Sequence, residues 1–119
     1  MRPFVLAAVG GVVGAALRWG VGEAIAPDAP GFPWHTLAVN LVGCALIGLA
    51  ARRLRRGSDH WYVFVTGVLG GLTTFSAFAN ETRTLLADGR STTAALYVVT
   101  SVLGGVAATE LARGRARAT

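Results

Sequence analysis

The sequence predicts an all-α integral membrane protein of four transmembrane helices, the third of them broken. Three observations carry that prediction. The chain is strongly apolar, with 53% hydrophobic and only 14% charged residues among 119, a balance that would be unusual for a soluble domain. Its charges gather in a few places, and the apolar gaps between them reach the roughly 20 residues that cross a bilayer. Four such gaps fit, over about 4–25, 34–51, 61–86 and 91–111. The third contains Gly70-Gly71-Leu72-Thr73-Thr74-Phe75-Ser76, a poor helix interior because glycine costs backbone entropy and threonine loses rotamers. In lipid a helix break is tolerated only where the freed backbone groups are buried in protein or line a polar cavity. Nearly the whole chain is thereby placed in the membrane, with no room for a second domain.

The net charge of +5 rests wholly on arginine, since the chain has no lysine. A nucleic-acid binder shares that sign but not this hydropathy, so no nucleic-acid partner is expected. Cys44 is the single cysteine, which rules out an intrachain disulfide and reads as a small packing residue.

The first span follows Arg2 and resembles a signal peptide in outline, but Arg18 and Trp19 interrupt it, so it reads as an uncleaved span. Gly10 and Gly14 make a small-x-x-x-small face for close helix approach. Arg18 lies one turn beyond Gly14 on that face. It is either an arginine snorkelling to the interface or part of a cationic vestibule that concentrates anions. Residues 27–33, rich in proline and carrying Asp28, read as a loop.

In the second span Thr36 and Asn40 share a face, continued by Gly43 and Cys44. A buried asparagine in a membrane needs hydrogen bonds. Asn40 either binds helices together or offers its amide N–H to a passing anion. The run Arg52-Arg53-Leu54-Arg55-Arg56 reads as a basic, topology-setting loop, and Trp61 and Tyr62 as an interfacial belt.

In the third span, Phe75 and Phe78 are three apart and share a face where helix resumes. They are either core or lipid-facing aromatics, or ring edges whose electropositive rim meets an anion without holding it too tightly for conduction. Glu81, one turn after Phe78 with Arg83 near by, is either a capping or pairing carboxylate at the span's end or a direct part of the pore. Residues 87–90 form a turn around Asp88-Gly89. In the fourth span Tyr97, Ser101 and Gly105 recur every four residues as a stripe of hydroxyl, hydroxyl and no side chain. His35 and His60 read as interfacial residues. No catalytic or metal-ligating spacing is visible, so no enzyme activity is expected.

Three stretches resemble the CrcB/Fluc fluoride-channel family: Gly-Gly-Leu-Thr-Thr-Phe-Ser-x-Phe at 70–78, Gly-Gly-x-x-Gly-Ala-x-x-Arg at 10–18 and Thr-Leu-x-x-Asn-x-x-Gly at 36–43. They occur in the family's order, and the match covers nearly the whole chain. The resemblance implies a fluoride-selective channel in the cell membrane that lowers cytoplasmic fluoride by passive efflux. It implies an antiparallel dimer with two pores. A structural sodium ion would sit at the dimer centre, held by backbone carbonyls of both broken helices, here Gly70 and Thr73. It implies a pore lined by Asn40, Phe75, Ser76, Phe78, Tyr97 and Ser101, with Arg18 in a vestibule. Gly105 departs from the serine common in the family and interrupts its polar track. The alternative, a small multidrug-resistance-type proton-coupled exporter, needs a carboxylate in the middle of the first span; Glu23 sits at its end.

With four spans, Arg2, the Arg52–Arg56 run and Arg113, Arg115 and Arg117 fall on one side. Short-loop arginine counts set orientation, so both termini are expected in the cytoplasm. An antiparallel partner is then either a second copy of this chain or a paralogue with the opposite bias.

Overall fold

The computed structural model describes residues 1–24 and 31–114. Ile25, the proline-rich stretch to residue 30 with Asp28, and the tail arginines Arg115 and Arg117 lie outside the described residues. The first helix, α1, is Arg2–Ala24, and the second, α2, is Trp34–Arg53. The third, α3, is Trp61–Leu69, wound at the wider π pitch, followed by one α turn, Gly70–Leu72. Helix α4 is Phe75–Ala87 and α5 is Ser91–Arg113. Taking α3 and α4 as one interrupted span, four segments of 23, 20, 27 and 23 residues are long and apolar enough to cross a membrane. Every regular element among the described residues is helical, and the chain is a multi-pass membrane protein.

The helices pack as two pairs. Helix α1 lies along α3, and α2 lies along α5. Helices in lipid gain little from apolar burial against one another, so small residues that admit close approach decide where they meet. A side chain at Gly10 would run into the Val63 carbonyl and stand 2.9 Å from the Gly67 Cα; one at Gly14 would run into the Val68 carbonyl. The small-residue face of the first span therefore packs against the front half of the third. Across the other pair, a side chain at Gly48 would collide with the Thr109 carbonyl. The Thr109 hydroxyl lies 3.2 Å from the Cys44 carbonyl and 2.9 Å from that of Gly105.

A small core joins α2, α4 and α5. Leu37, Leu85, Ala94 and Tyr97 are buried, with Phe32, Leu41 and Phe78 packed around them. Val12, Leu17, Val42, Val102 and Leu103 face outward, where lipid or a partner helix solvates them without penalty.

The turn between α4 and α5 falls on Asp88-Gly89. Gly89 takes φ +75°, and the Arg90 N–H reaches back to the Leu85 carbonyl at 2.8 Å. This closes α4 with the glycine-dependent helix ending that the sequence signals.

Charge is unevenly shared between the two ends of the bundle. Arg2, Arg52, Arg53, Arg55, Arg56 and Arg113 belong to the end where α1 and α3 begin and α2 and α5 finish. An Arg2–Asp59 ion pair ties the starts of α1 and α3 together. Arg52 reaches the Ala112 carbonyl at the foot of α5 at 3.5 Å, and the Arg56 guanidinium stands 5.6 Å from the centre of the Trp61 ring. At the other end, Arg18, Arg83 and Arg90 are matched in number by Glu23, Glu81 and Asp88.

Candidate functional site

The break between α3 and α4 is held open by side chains. Thr73 and Thr74 leave the helical region, with ψ of 147° and 120°. In a continuous helix the Thr74 N–H would bond the Gly70 carbonyl four residues back. Here it goes to Asn40 Oδ1 at 3.0 Å, and Asn40 Nδ2 donates in return to the Thr74 carbonyl at 3.2 Å. The Ala77 N–H, whose helical acceptor would be the Thr73 carbonyl, goes instead to Thr74 Oγ1 at 3.1 Å, so Thr74 is the N-cap of α4. The break parts the carbonyls of Gly70, Gly71, Leu72 and Thr73 from their i+4 donors, and for Gly70 and Thr73 those donors turn to the side chains of Asn40 and Thr74. Gly70 is also exposed on the single chain. At Gly43 a side chain would run into the Thr73 Cγ2 methyl, so a glycine is needed there for α2 to approach the break.

Beside the break lies an open groove of about 310 Å³, lined among others by Asn40, Thr73, Thr74, Phe75, Phe78 and Ser101. Five of the eight residues of the expected pore and cation set lie here together: Asn40, Thr73, Phe75, Phe78 and Ser101. Ser101 Oγ is buried and has no hydrogen-bond partner among the described residues. Asn40 keeps one amide N–H beyond the one it gives to Thr74, so its two readings are compatible. Phe75 is 79% exposed, while Phe78 packs inward, its ring centre 5.8 Å from that of Phe75 and 5.2 Å from that of Tyr97. Ser76 is exposed, and its hydroxyl lies 3.2 Å from that of Thr74.

The remaining charged and hydroxyl-bearing residues gather one turn further along, around Glu81. One carboxylate oxygen accepts from the Thr36 hydroxyl at 2.7 Å and the other from the Tyr97 hydroxyl at 2.6 Å. His35 Nε2 lies 3.8 Å from the first oxygen. A carboxylate with both oxygens engaged by two buried hydroxyls is well satisfied, and charge-assisted bonds of this kind are the strong ones. Glu81 is thus a pairing carboxylate as expected. Its partners come from α2 and α5, while Arg83 donates to Asn80 Oδ1 instead. Tyr97 is fully buried and its proton is directed to Glu81, away from the groove. Arg18, half-buried and without a hydrogen bond or ion pair among the described residues, lines a small cavity of about 130 Å³ with Glu81, His35, Thr36 and Thr74. The site therefore has two compartments separated by Thr74: a charged cavity and a groove with a buried hydroxyl and ring edges.

The Thr36–Glu81–Tyr97 cluster was not legible as a unit in the sequence. Its members lie on three helices, and only the polarity of Thr36 and Glu81 within apolar runs marks them. Thr109 was legible in principle, because it continues the Tyr97, Ser101, Gly105 spacing by one more turn.

Similar chains accord with this arrangement. The family described as CrcB-like protein, Camphor Resistance (CrcB), matches residues 5–113. The chain belongs to the CrcB family. A relative from Paracoccus denitrificans, named fluoride-specific ion channel FluC, is 48% identical over 107 residues, covering 88% of this chain and 86% of the relative. One of the same name from Sphingopyxis alaskensis is 49% identical, covering 84% and 83%. A third from Streptomyces coelicolor, named fluoride-specific ion channel FluC 1, is 43% identical, covering 92% of this chain and 74% of the relative. These names describe a channel, not an enzyme.

The geometry around the break ranks two substitutions. Asn40→Ala leaves both backbone groups of Thr74 unpaired, at about 1–3 kcal/mol for each buried group. Thr74→Ala removes only a helix cap, at about 1 kcal/mol. Thermal unfolding in detergent is expected to show Asn40→Ala as the more destabilised of the two. Equal midpoints for both variants and the parent chain would rule out the Asn40 clamp.

Proposed function

We propose that this chain is one protomer of a fluoride-selective channel that lowers cytoplasmic fluoride by passive efflux. The observation that carries the reading is the groove at the break, where Asn40, a buried unpartnered Ser101 hydroxyl and the Phe75–Phe78 pair meet in a chain of the CrcB family. The names of the relatives supply the ion. Fluoride is small, strongly hydrated and a good hydrogen-bond acceptor, so a path for it must be narrow and must replace water's donors with protein donors. Asn40 and Ser101 offer such donors. Ring edges add weak electropositive contacts, and weak contacts let an ion leave as well as enter. The half-buried Arg18 beside the charged cavity supports a vestibule that draws anions towards the path.

The antiparallel dimer is part of the same reading. Phe75 and Gly70 are exposed on the single chain, although both belong to the site, which suits a surface completed by a second protomer. The Gly70 and Thr73 carbonyls, freed as their donors turn to Asn40 and Thr74, fit a sodium ion: neutral backbone oxygens at an unwound span are the usual ligands for it in membrane transport proteins. Such an ion would join the two breaks by charge–dipole attraction. Two oxygens from one chain do not fill its coordination, so a partner's pair is needed.

Protein reconstituted in vesicles with sodium and its correct partner is expected to pass fluoride and exclude chloride, read with ion-selective electrodes. Phe75→Ile and Phe78→Ile, which keep bulk but remove the electropositive edge, are expected to slow fluoride sharply while the dimer survives on a sizing column. Replacing sodium by a large organic cation is expected to abolish flux. Equal passage of both halides would overturn the selectivity, and flux that survives thorough sodium removal would overturn the cation site.

The uneven arginines support an orientation with both termini in the cytoplasm. A chain fixed in one orientation cannot supply its own inverted partner, so the second protomer is either a paralogue of opposite bias or a copy of this chain that inserts both ways. A reporter on the C-terminus is expected to give a cytoplasmic signal, with flux appearing on co-expression of the paralogue. Mixed signals with full flux from this chain alone would establish a homodimer.

A further inference from the structure

The arginines at the basic end of the bundle divide into engaged and free side chains. Arg2 pairs with Asp59, and Arg113 lies 3.7 Å from Glu110. Arg52 donates to the Ala112 carbonyl at 3.5 Å, and Arg56 stands over the Trp61 ring. Arg53 and Arg55 are exposed and make no hydrogen bond, ion pair or ring contact among the described residues. Asp59 and Glu110 are the only acids described at this end, and both are already taken. The two free guanidiniums therefore have no counter-charge within the described chain.

The turn that carries them is ordered by its own hydrogen bonds. Helix α2 ends at Arg53, and Leu54 passes into extended backbone while its N–H bonds the Ala50 carbonyl at 2.7 Å. The chain then reverses: the Ser58 N–H bonds the Arg55 carbonyl at 3.1 Å, and Gly57 takes φ +81°, which glycine alone adopts without strain. Ser58 Oγ accepts the Trp61 N–H at 3.2 Å, where α3 begins. Arg53 and Arg55 flank the half-buried Leu54, a few residues from Trp61 and Tyr62. Aromatic residues at the end of a span sit at the depth of the lipid headgroups.

We propose that Arg53 and Arg55 bind the phosphate of an anionic phospholipid on this face of the membrane. A guanidinium presents a planar fork that meets phosphate oxygens two at a time. A zwitterionic lipid carries the same phosphate together with its own cation, so the surplus of arginine around the turn favours a headgroup with net negative charge. Setting orientation during insertion needs only a count of arginines and asks nothing of the finished protein. The lipid site does, and it is independent of the ion that the channel conducts.

The test is the retention of lipid by the intact protein in detergent, titrated with phosphatidylglycerol or phosphatidylcholine and read by native mass spectrometry. Orientation plays no part in that measurement. A basic residue near an anionic surface strengthens attachment about fivefold. The parent chain is expected to bind its first phosphatidylglycerol about 25-fold more tightly than phosphatidylcholine. Arg53→Gln and Arg55→Gln are each expected to lower that preference about fivefold, and the double variant to abolish it while eluting from a sizing column as the parent does. Arg83→Gln, which removes the same charge at the opposite end, is expected to leave the preference intact. Equal binding of the two lipids by the parent overturns the proposal, as does a preference that survives in the double variant or falls as far in Arg83→Gln. Displacement of phosphatidylglycerol by a large excess of inorganic phosphate would make this a site for soluble phosphate and would overturn the lipid assignment.

Discussion

Two hydrogen bonds between Asn40 and Thr74 hold the third span open, and the rest of the site depends on them. A helix in lipid has every reason to close on itself, because each unsatisfied backbone group there costs roughly several kcal/mol. Closure at this point would return the Thr74 N–H to Gly70. The Asn40 side chain removes that incentive by meeting the N–H and C=O of Thr74 together, at 3.0 and 3.2 Å. Thr74 in turn caps α4 by accepting the Ala77 N–H. With the chain extended for two residues, α4 starts afresh beside α2 and α5. Phe75 and Phe78 come to line the groove, and Glu81 arrives between Thr36 and Tyr97.

The helix packing serves the same end. Two pairs, α1 with α3 and α2 with α5, meet through glycines whose side-chain positions are filled by a neighbour's backbone. Such contacts are rigid, since backbone atoms cannot rotate away. They leave α4, which packs on α5, to carry the phenylalanine pair of the groove and the carboxylate of Glu81. Glu81 ties α4 to both α2 and α5 through its two oxygens, and this fixes the height of the phenylalanine pair against the hydroxyl stripe.

Much of this was legible in the sequence, for identifiable reasons. Four spans emerge because charge is excluded from apolar runs of bilayer length. The break emerges because Gly70-Gly71 and Thr73-Thr74 concentrate the residues least suited to a helix interior. The Asp88-Gly89 turn emerges because glycine alone takes a positive φ without strain. The role of Asn40 was legible only as a choice between tether and ion donor; the structure shows the tether, at Thr74, and leaves one N–H over. The π winding of Trp61–Leu69 carried no signal, since its Val, Leu and Thr residues suit an ordinary helix equally well. The Glu81 cluster depends on three helices meeting, which no local pattern encodes. The packing of Cys44 Sγ against Gly105 is likewise a contact between α2 and α5, invisible to the spacing rules of either.

The central claim is that side chains, and not helix continuity, satisfy the backbone at the break. Amide hydrogen exchange at Thr74 and Ala77, measured by NMR on the intact protein in lipid nanodiscs, tests it most directly. Both amides are expected to be protected in the parent chain, and Asn40→Ala is expected to expose Thr74 while Ala77, bonded to Thr74 Oγ1, exchanges more slowly than Thr74. Thr74 protection that is unchanged by Asn40→Ala would mean that the span closes through Gly70 after all and that Asn40 does not hold the break open.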